Sequence, residues 1–199
     1  NPQEMFKKVL HELGVHGQRA INGLETGLPI LGSGLFTNSD PADYLSFEEG
    51  LATLLEAAVA KEKTNWTPAN MSLYLNVALA ESGCDFRDIY ELGWRYRTLY
   101  AVEPNQEISD ELINKHKKLA YKSAVRVFRG NPTDPQSLPG QKPLTYNKDL
   151  SYLRGRLSVM DYFRQAWEER DTAKLDDLFA AKFDSTIPDQ RAIVDQLKR

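Results

Sequence analysis

Two of the three histidines in the chain sit five residues apart, in His11-Glu12-Leu13-Gly14-Val15-His16. Neutral imidazoles bind zinc, and a glutamate beside them can move the proton of a water that the ion activates. Carried on one helix, this set is the chemistry of a metal-dependent hydrolase. The spacing is unusual. Four residues would put both rings on one face, whereas five rotate the second about 140° away from the first at 3.6 residues per turn. A single wide turn with one bulged residue restores the common face, and such bulges favour functional sites. Gly14 and Gly17 make the local backbone permissive. Chance places such a pattern in about three of a thousand chains of this composition.

A zinc site also needs a third protein ligand and an open position. Glu48-Glu49-Gly50-Leu51-Ala52 follows at the start of the next helical segment. The intervening loop lets the two helices pair, so a carboxylate can face the histidines. Glu-x-x-Ala on the following helix, here Glu49 to Ala52, is how glutamate-ligand zinc peptidases complete their site, and the small Ala52 allows close approach. The competing reading is a hydrogen-bonded histidine pair, with Glu48 and Glu49 on a solvated face.

The elements that would position these residues read as helices throughout. Met5, Phe6, Val9, Leu10, Leu13, Ile21 and Leu24 recur at helical spacing behind Pro2, which predicts a helix over 2–22 ending near Gly23. Residues 23–43, with Gly27, Gly32, Gly34, Pro29 and Pro41, read as a loop. A second helix runs from Tyr44 or Ser46 to Lys63. Thr67-Pro68 starts a third, which stops at Gly83. Asp85 caps a fourth carrying Phe86, Ile89, Tyr90, Trp94 and Leu99, and Ser109 opens a fifth over 109–128. Residues 129–147, with Pro132, Pro135, Pro139 and Pro143, form a second long loop, and loops of this length usually carry function. Helices follow over 148–170, 172–182 and 187–198, the last with Pro188 in its first turn. No segment alternates with period two, so the fold class is mainly α.

With 199 residues, the chain is one domain over 1–199, or one large part of a domain. Its 41% hydrophobic and 27% charged residues are those of a globular protein with a sizeable core. A net charge of −3 argues against a general nucleic-acid binder. The single Cys84 excludes a disulfide framework or a cysteine-rich zinc site. No apolar run is long enough to span a membrane, and no leader is recognised, which suggests a cytoplasmic protein. The chain opens on Asn1 and enters a helical pattern at once, as a cut chain would. His116, between Lys115 and Lys117, reads as a solvated residue, and Trp94, Tyr96 and Tyr100 as packing. Asn65-Trp66-Thr67 has the glycosylation form, without other signs of secretion.

The stretches His11–His16, Phe47–Glu56, Ser123–Gly130 and Thr145–Gly155 resemble those of the flavohemoglobin expression-modulating QEGLA motif family, whose eukaryotic relatives are the microtubule-associated tyrosine carboxypeptidases. Glu-Glu-Gly-Leu-Ala stands where that family has Gln-Glu-Gly-Leu-Ala, so Glu48 takes the Gln position and Glu49 is the implied ligand. Arg126-Val-Phe-Arg129-Gly130 is similar to the family's Arg-Val-Tyr-Arg-Gly. Lys148-Asp149-Leu-Ser-Tyr152-Leu-Arg154-Gly155 is similar to its Lys-Asp-x-x-Tyr-Leu-Arg-Gly. The resemblance implies a gluzincin-like, zincin-related metallopeptidase cutting at a peptide or protein C-terminus. The chain would then be the helical C-terminal part of that domain, with a strand-containing part upstream.

A carboxypeptidase needs a cation for the substrate's terminal carboxylate, and an arginine fork suits it best. Arg126, Arg129 and Arg154 are the candidate substrate-binding residues. Tyr152 and Lys148 are candidates for helping a developing oxyanion. The plainer expectation for each is a helix end or a carboxylate partner such as Asp149. The combined expectation is one zinc held by His11, His16 and Glu49, with Glu12 as general base. The rival functions are a non-catalytic helical module that binds or regulates a protein, and an aminopeptidase or dipeptidyl-peptidase with the same zinc chemistry.

Overall fold

The computed structural model describes residues 1–37, 44–59, 68–131 and 144–197. Among these the structure is helical with no strand, as the sequence predicts. Pro41, Lys63, Thr67, the Asn65–Thr67 pattern and the four loop prolines lie outside the described residues. No helix among the described residues is long and apolar enough to cross a membrane. The chain divides into two compact units, Asn1–Thr64 with Ser151–Arg199, and Asn65–Leu150.

The first unit opens with α1, Pro2–Val9, whose first turn is capped by the Asn1 side chain. A π-helical segment, Leu10–Gly17, follows, and then α2, Gln18–Glu25. Leu10 and Gln18 at the two junctions keep right-handed helical dihedrals, so the three form one uninterrupted rod. The rod outlasts the expected stop near Gly23 and ends at Gly27, whose φ is +80°. Gly23 serves a different purpose, because a Cβ there would come within 2.1 Å of the Leu31 carbonyl oxygen.

The apolar residues that signal this rod are not its buried face. Met5, Leu13, Ile21 and Leu24 are all more than half exposed, whereas His11, Val15, Arg19 and Gly23, four apart, point inward. The expected loop over 23–43 is also interrupted. Pro29–Ser33 forms α3, started by proline and held by Leu31, which packs with Leu35, Ala181, Phe183 and Val194. Burial of Leu31 overrides the glycine-rich composition of that stretch.

Helix α4, Leu45–Val59, is buried along Phe47, Glu48, Glu49, Gly50, Leu51 and Ala52. It crosses α8, Lys148–Glu169, backbone against backbone. A Cβ on Gly50 would lie 2.0 Å from the Gly155 carbonyl carbon, and one on Gly155 would lie 1.5 Å from the Ser46 carbonyl oxygen. Phe47, Leu51 and Ala52 then join Val15, Val159, Tyr162 and Leu178 in one core. The helices α9, Ala173–Ala180, and α10, Pro188–Leu197, complete this unit. Two backbone hydrogen bonds of Lys182, its carbonyl accepting from Leu35 N–H (2.8 Å) and its N–H donating to the Leu31 carbonyl (2.9 Å), fix the turn after α9.

The second unit holds α5, Pro68–Glu81, α6, Phe86–Ala101, and α7, Asp110–Val127. Asp85 and Asp88 form a reciprocal capping box at the start of α6, and Ser109 caps α7 through the Leu112 N–H. Val77, Ala80, Ile89, Ala124, Val127, Phe128 and Leu150 form the core. His116 is not solvated as expected. It is buried, and its Nδ1 meets Thr98 Oγ1 at 3.0 Å, while Lys115 is exposed and Lys117 lies over the Trp94 ring, 5.1 Å from its centre. Burial, with Lys115 and Arg97 adding repulsion, pushes its pKa below the ordinary value.

Candidate metal centre

The spacing problem on the first rod is solved by a longer device than one bulged residue. The whole of Leu10–Gly17 is wound with the wide π pattern, and the Gln18 N–H still reaches back five residues to the Leu13 carbonyl. In such a segment residue i+5 is the hydrogen-bond partner of residue i, so His16 stands nearly above His11. The two rings meet edge to face, with centroids 4.9 Å apart and planes at 72°.

Helix α4 supplies the facing carboxylates. Glu49 Oε2 lies 3.3 Å from His11 Nε2 and 3.8 Å from His16 Nε2. Ligand atoms of His11, His16 and Glu49 all fall within 4.8 Å of one another. In a tetrahedral zinc shell with bonds of about 2.1 Å, donors stand about 3.4 Å apart. The two imidazoles and the carboxylate therefore fit zinc in both chemistry and spacing, with small adjustments of the side chains.

The outer nitrogens of the same rings also face carboxylates. Glu48 Oε1 is 2.6 Å from His16 Nδ1. Glu56 Oε1 is 3.2 Å from His11 Nδ1, where both atoms are buried but not aligned for a hydrogen bond. Glu48 is 1% exposed, so the sequence-based alternative of a solvated face does not hold for it. It is held from behind by the fully buried Arg19, at 3.1 Å, and by Lys182 Nζ, at 3.2 Å. Arg19 also donates to the Phe183 carbonyl at 2.5 Å.

These contacts set the electrostatics. For Glu48, burial favours the neutral acid, but the His16 hydrogen bond and the charges of Arg19 and Lys182 together outweigh it and hold the pKa below the ordinary value. For His11, the carboxylate of Glu49 3.3 Å away raises the pKa most; burial opposes this, and Glu56 and Glu12 add charge that favours the protonated ring. Glu12 itself is exposed on the rod, one residue after His11.

The other residues singled out from the sequence are spread over both units. Tyr152, half-buried, and Arg154, exposed, lie on α8 in the same unit as the histidines. Arg126, Arg129 and Lys148 belong to the other unit. Arg126 makes a two-pronged pair with Asp149, Nε to Oδ2 at 2.8 Å and an NH2 group to Oδ1 at 2.5 Å, which is the plainer of the two expectations for it. Arg129 stacks its guanidinium 4.5 Å from the Tyr146 ring centre. Lys148 is the first residue of α8 and partly buried.

Arg19, Glu56 and Lys182 have no counterpart in the sequence-based reading. Glu56 follows Glu49 by seven positions, two turns along one face, so periodicity could have found it. Arg19 follows His16 by three on the same rod, a weaker signal. Lys182 arrives only through the tertiary fold.

The description "microtubule-associated tyrosine carboxypeptidase" belongs to a family model that matches residues 3–195. No curated protein and no solved structure matches the chain.

Proposed function

The chain belongs to the microtubule-associated tyrosine carboxypeptidase family, and from that premise we propose that it is a zinc-dependent carboxypeptidase. Its substrate would be the C-terminal end of a peptide or protein, with tyrosine as the first residue to try. The observation that carries the zinc part of this reading is the approach of His11, His16 and Glu49 donors from two helices to within 4.8 Å. These three residues would hold one ion. Zinc, when bound, supplies Lewis acidity to a water and to the scissile carbonyl.

The remaining steps fall to the chain's own residues. Glu12 would take a proton onto its carboxylate from the attacking water and hand it to the leaving amine nitrogen. Tyr152, on α8, would donate its phenolic O–H to the developing oxyanion. Arg154, four residues after Leu150 and exposed on the same helix, would offer a guanidinium to the substrate's terminal carboxylate.

Metal analysis of the purified protein tests this reading first. One zinc per chain is expected, and His16→Ala should hold none. A His16→Ala protein with full zinc occupancy would falsify the ligand assignment. Glu12→Gln should keep its zinc and lose turnover by at least about a hundredfold, the lower range for general-base catalysis. Cleavage of peptides with free C-termini and none of their C-amidated forms sets the polarity; the reverse pattern, with N-blocked peptides resistant, would identify an aminopeptidase.

A further inference from the structure

We propose that Glu48 is a positioning residue for the metal: clamped by Arg19 and Lys182, it holds the His16 ring with its proton on Nδ1 and its Nε2 lone pair aimed at Glu49 and the ion. The inference rests on the zinc reading above and concerns a residue outside the ligand set.

Three observations support it. The 2.6 Å contact between Glu48 Oε1 and His16 Nδ1 is the shortest that either ring makes to a carboxylate. A carboxylate accepts only, so the proton of a neutral ring must sit on Nδ1 for this contact to be favourable. That leaves Nε2 bare on the side where Glu49 Oε2 lies 3.8 Å away. Glu48 cannot swing off the ring, because Arg19 grips its other oxygen at 3.1 Å and is itself tied to the Phe183 carbonyl. Lys182 Nζ, 3.2 Å from Oε1, adds a second charge. The clamp is built from α2 and the turn after α9, so it does not depend on α4 alone.

The two imidazoles differ in this respect. The His11 counterpart, Glu56, sits 3.2 Å away out of line, and its cation, Lys8, is 3.8 Å off with a largely exposed side chain. The carboxylate behind His16 is thus clamped on both oxygens, whereas the one behind His11 is not aligned with its ring. Where a carboxylate orients a zinc-bound imidazole, removing it typically costs ten- to a hundredfold in metal affinity.

The test combines two measurements on the full chain. Long-range proton–nitrogen NMR on the metal-free protein at alkaline pH reads the tautomer of the neutral His16 ring; the proton is expected on Nδ1. Chelator competition reads zinc affinity, with the expected order unsubstituted protein, then E48Q about tenfold weaker, then E48M weaker still and approaching a hundredfold. Gln keeps an acceptor without the charge, whereas Met keeps the length without either. A proton on Nε2 in the unsubstituted protein overturns the proposal, whether or not the variants fold. So does an E48Q protein that binds zinc as tightly as the unsubstituted one. If the unsubstituted protein binds no zinc at all while His16 still carries its proton on Nδ1, the zinc reading fails and the Glu48 contact stands as a structural one.

Discussion

Every ring nitrogen at the candidate centre has a carboxylate within 3.8 Å, and the pattern is two-layered: Glu49 on the inside, Glu48 and Glu56 on the outside. Away from that centre, His116 supplies a pH dependence of stability to look for. His116 is buried and its pKa lowered from 6.5. As pH falls below that ordinary value, the unfolded chain takes up the proton first, so stability is lost from about pH 6.5 downward and is complete above it. Urea unfolding followed at pH 7.5 and 5.5 should show this loss, and His116→Gln should flatten it; an unchanged slope would assign the effect to other groups. The meeting of His11, His16 and Glu49 was legible because rare residue types stood at a spacing that a widened helical turn brings to one face. Glu48 was visible as a neighbour but its burial was not. Adjacent helical residues diverge by about 100°, and no sequence rule says that both will be enclosed when the facing rod is wound wide.

At the scale of elements, several helix starts were announced by chemistry: Asp85, Ser109 and Pro188 each sit where a cap or first-turn residue belongs. The first rod was found but its orientation was not. Its apolar residues suggest a core face, yet the inward face carries His11 and Arg19, because carboxylates from α4 compensate them there. Pattern reading ranks residues by hydrophobicity and has no access to a partner's charge. The α4–α8 crossing yields a sharper expectation. Gly50→Ala pushes a methyl into the Gly155 backbone, which cannot rotate aside as a side chain would. A loss of about 3 kcal/mol in stability, the upper end for overpacking, and weaker zinc retention are expected by thermal denaturation and chelator competition. Leu157→Ala, on an exposed position of α8, should stay within about 0.5 kcal/mol. A Gly50→Ala protein as stable as that control would mean that the two helices can part freely.

For the molecule as a whole, the family match over residues 3–195 takes in residues of both compact units. Each unit has its own core, and the candidate metal ligands His11, His16 and Glu49 belong to one of them. Zinc at a hundred times its dissociation constant should therefore stabilise the ligand-bearing unit by about 2.7 kcal/mol. Hydrogen exchange should slow at the amides of Leu10–Gly17 and Leu45–Val59, and a chelator should reverse it; equal slowing throughout the chain would point to a different mode of binding. The contact of Gly50 with Gly155 also bears on inhibitor design. Glu49 lies one residue from this fulcrum on one spar, and Tyr152 three residues from it on the other. If Glu49 holds an ion and the Tyr152 phenol meets the substrate as proposed, an inhibitor that grips both has no need of a supple tether, and stiffening that tether should tighten binding instead of weakening it.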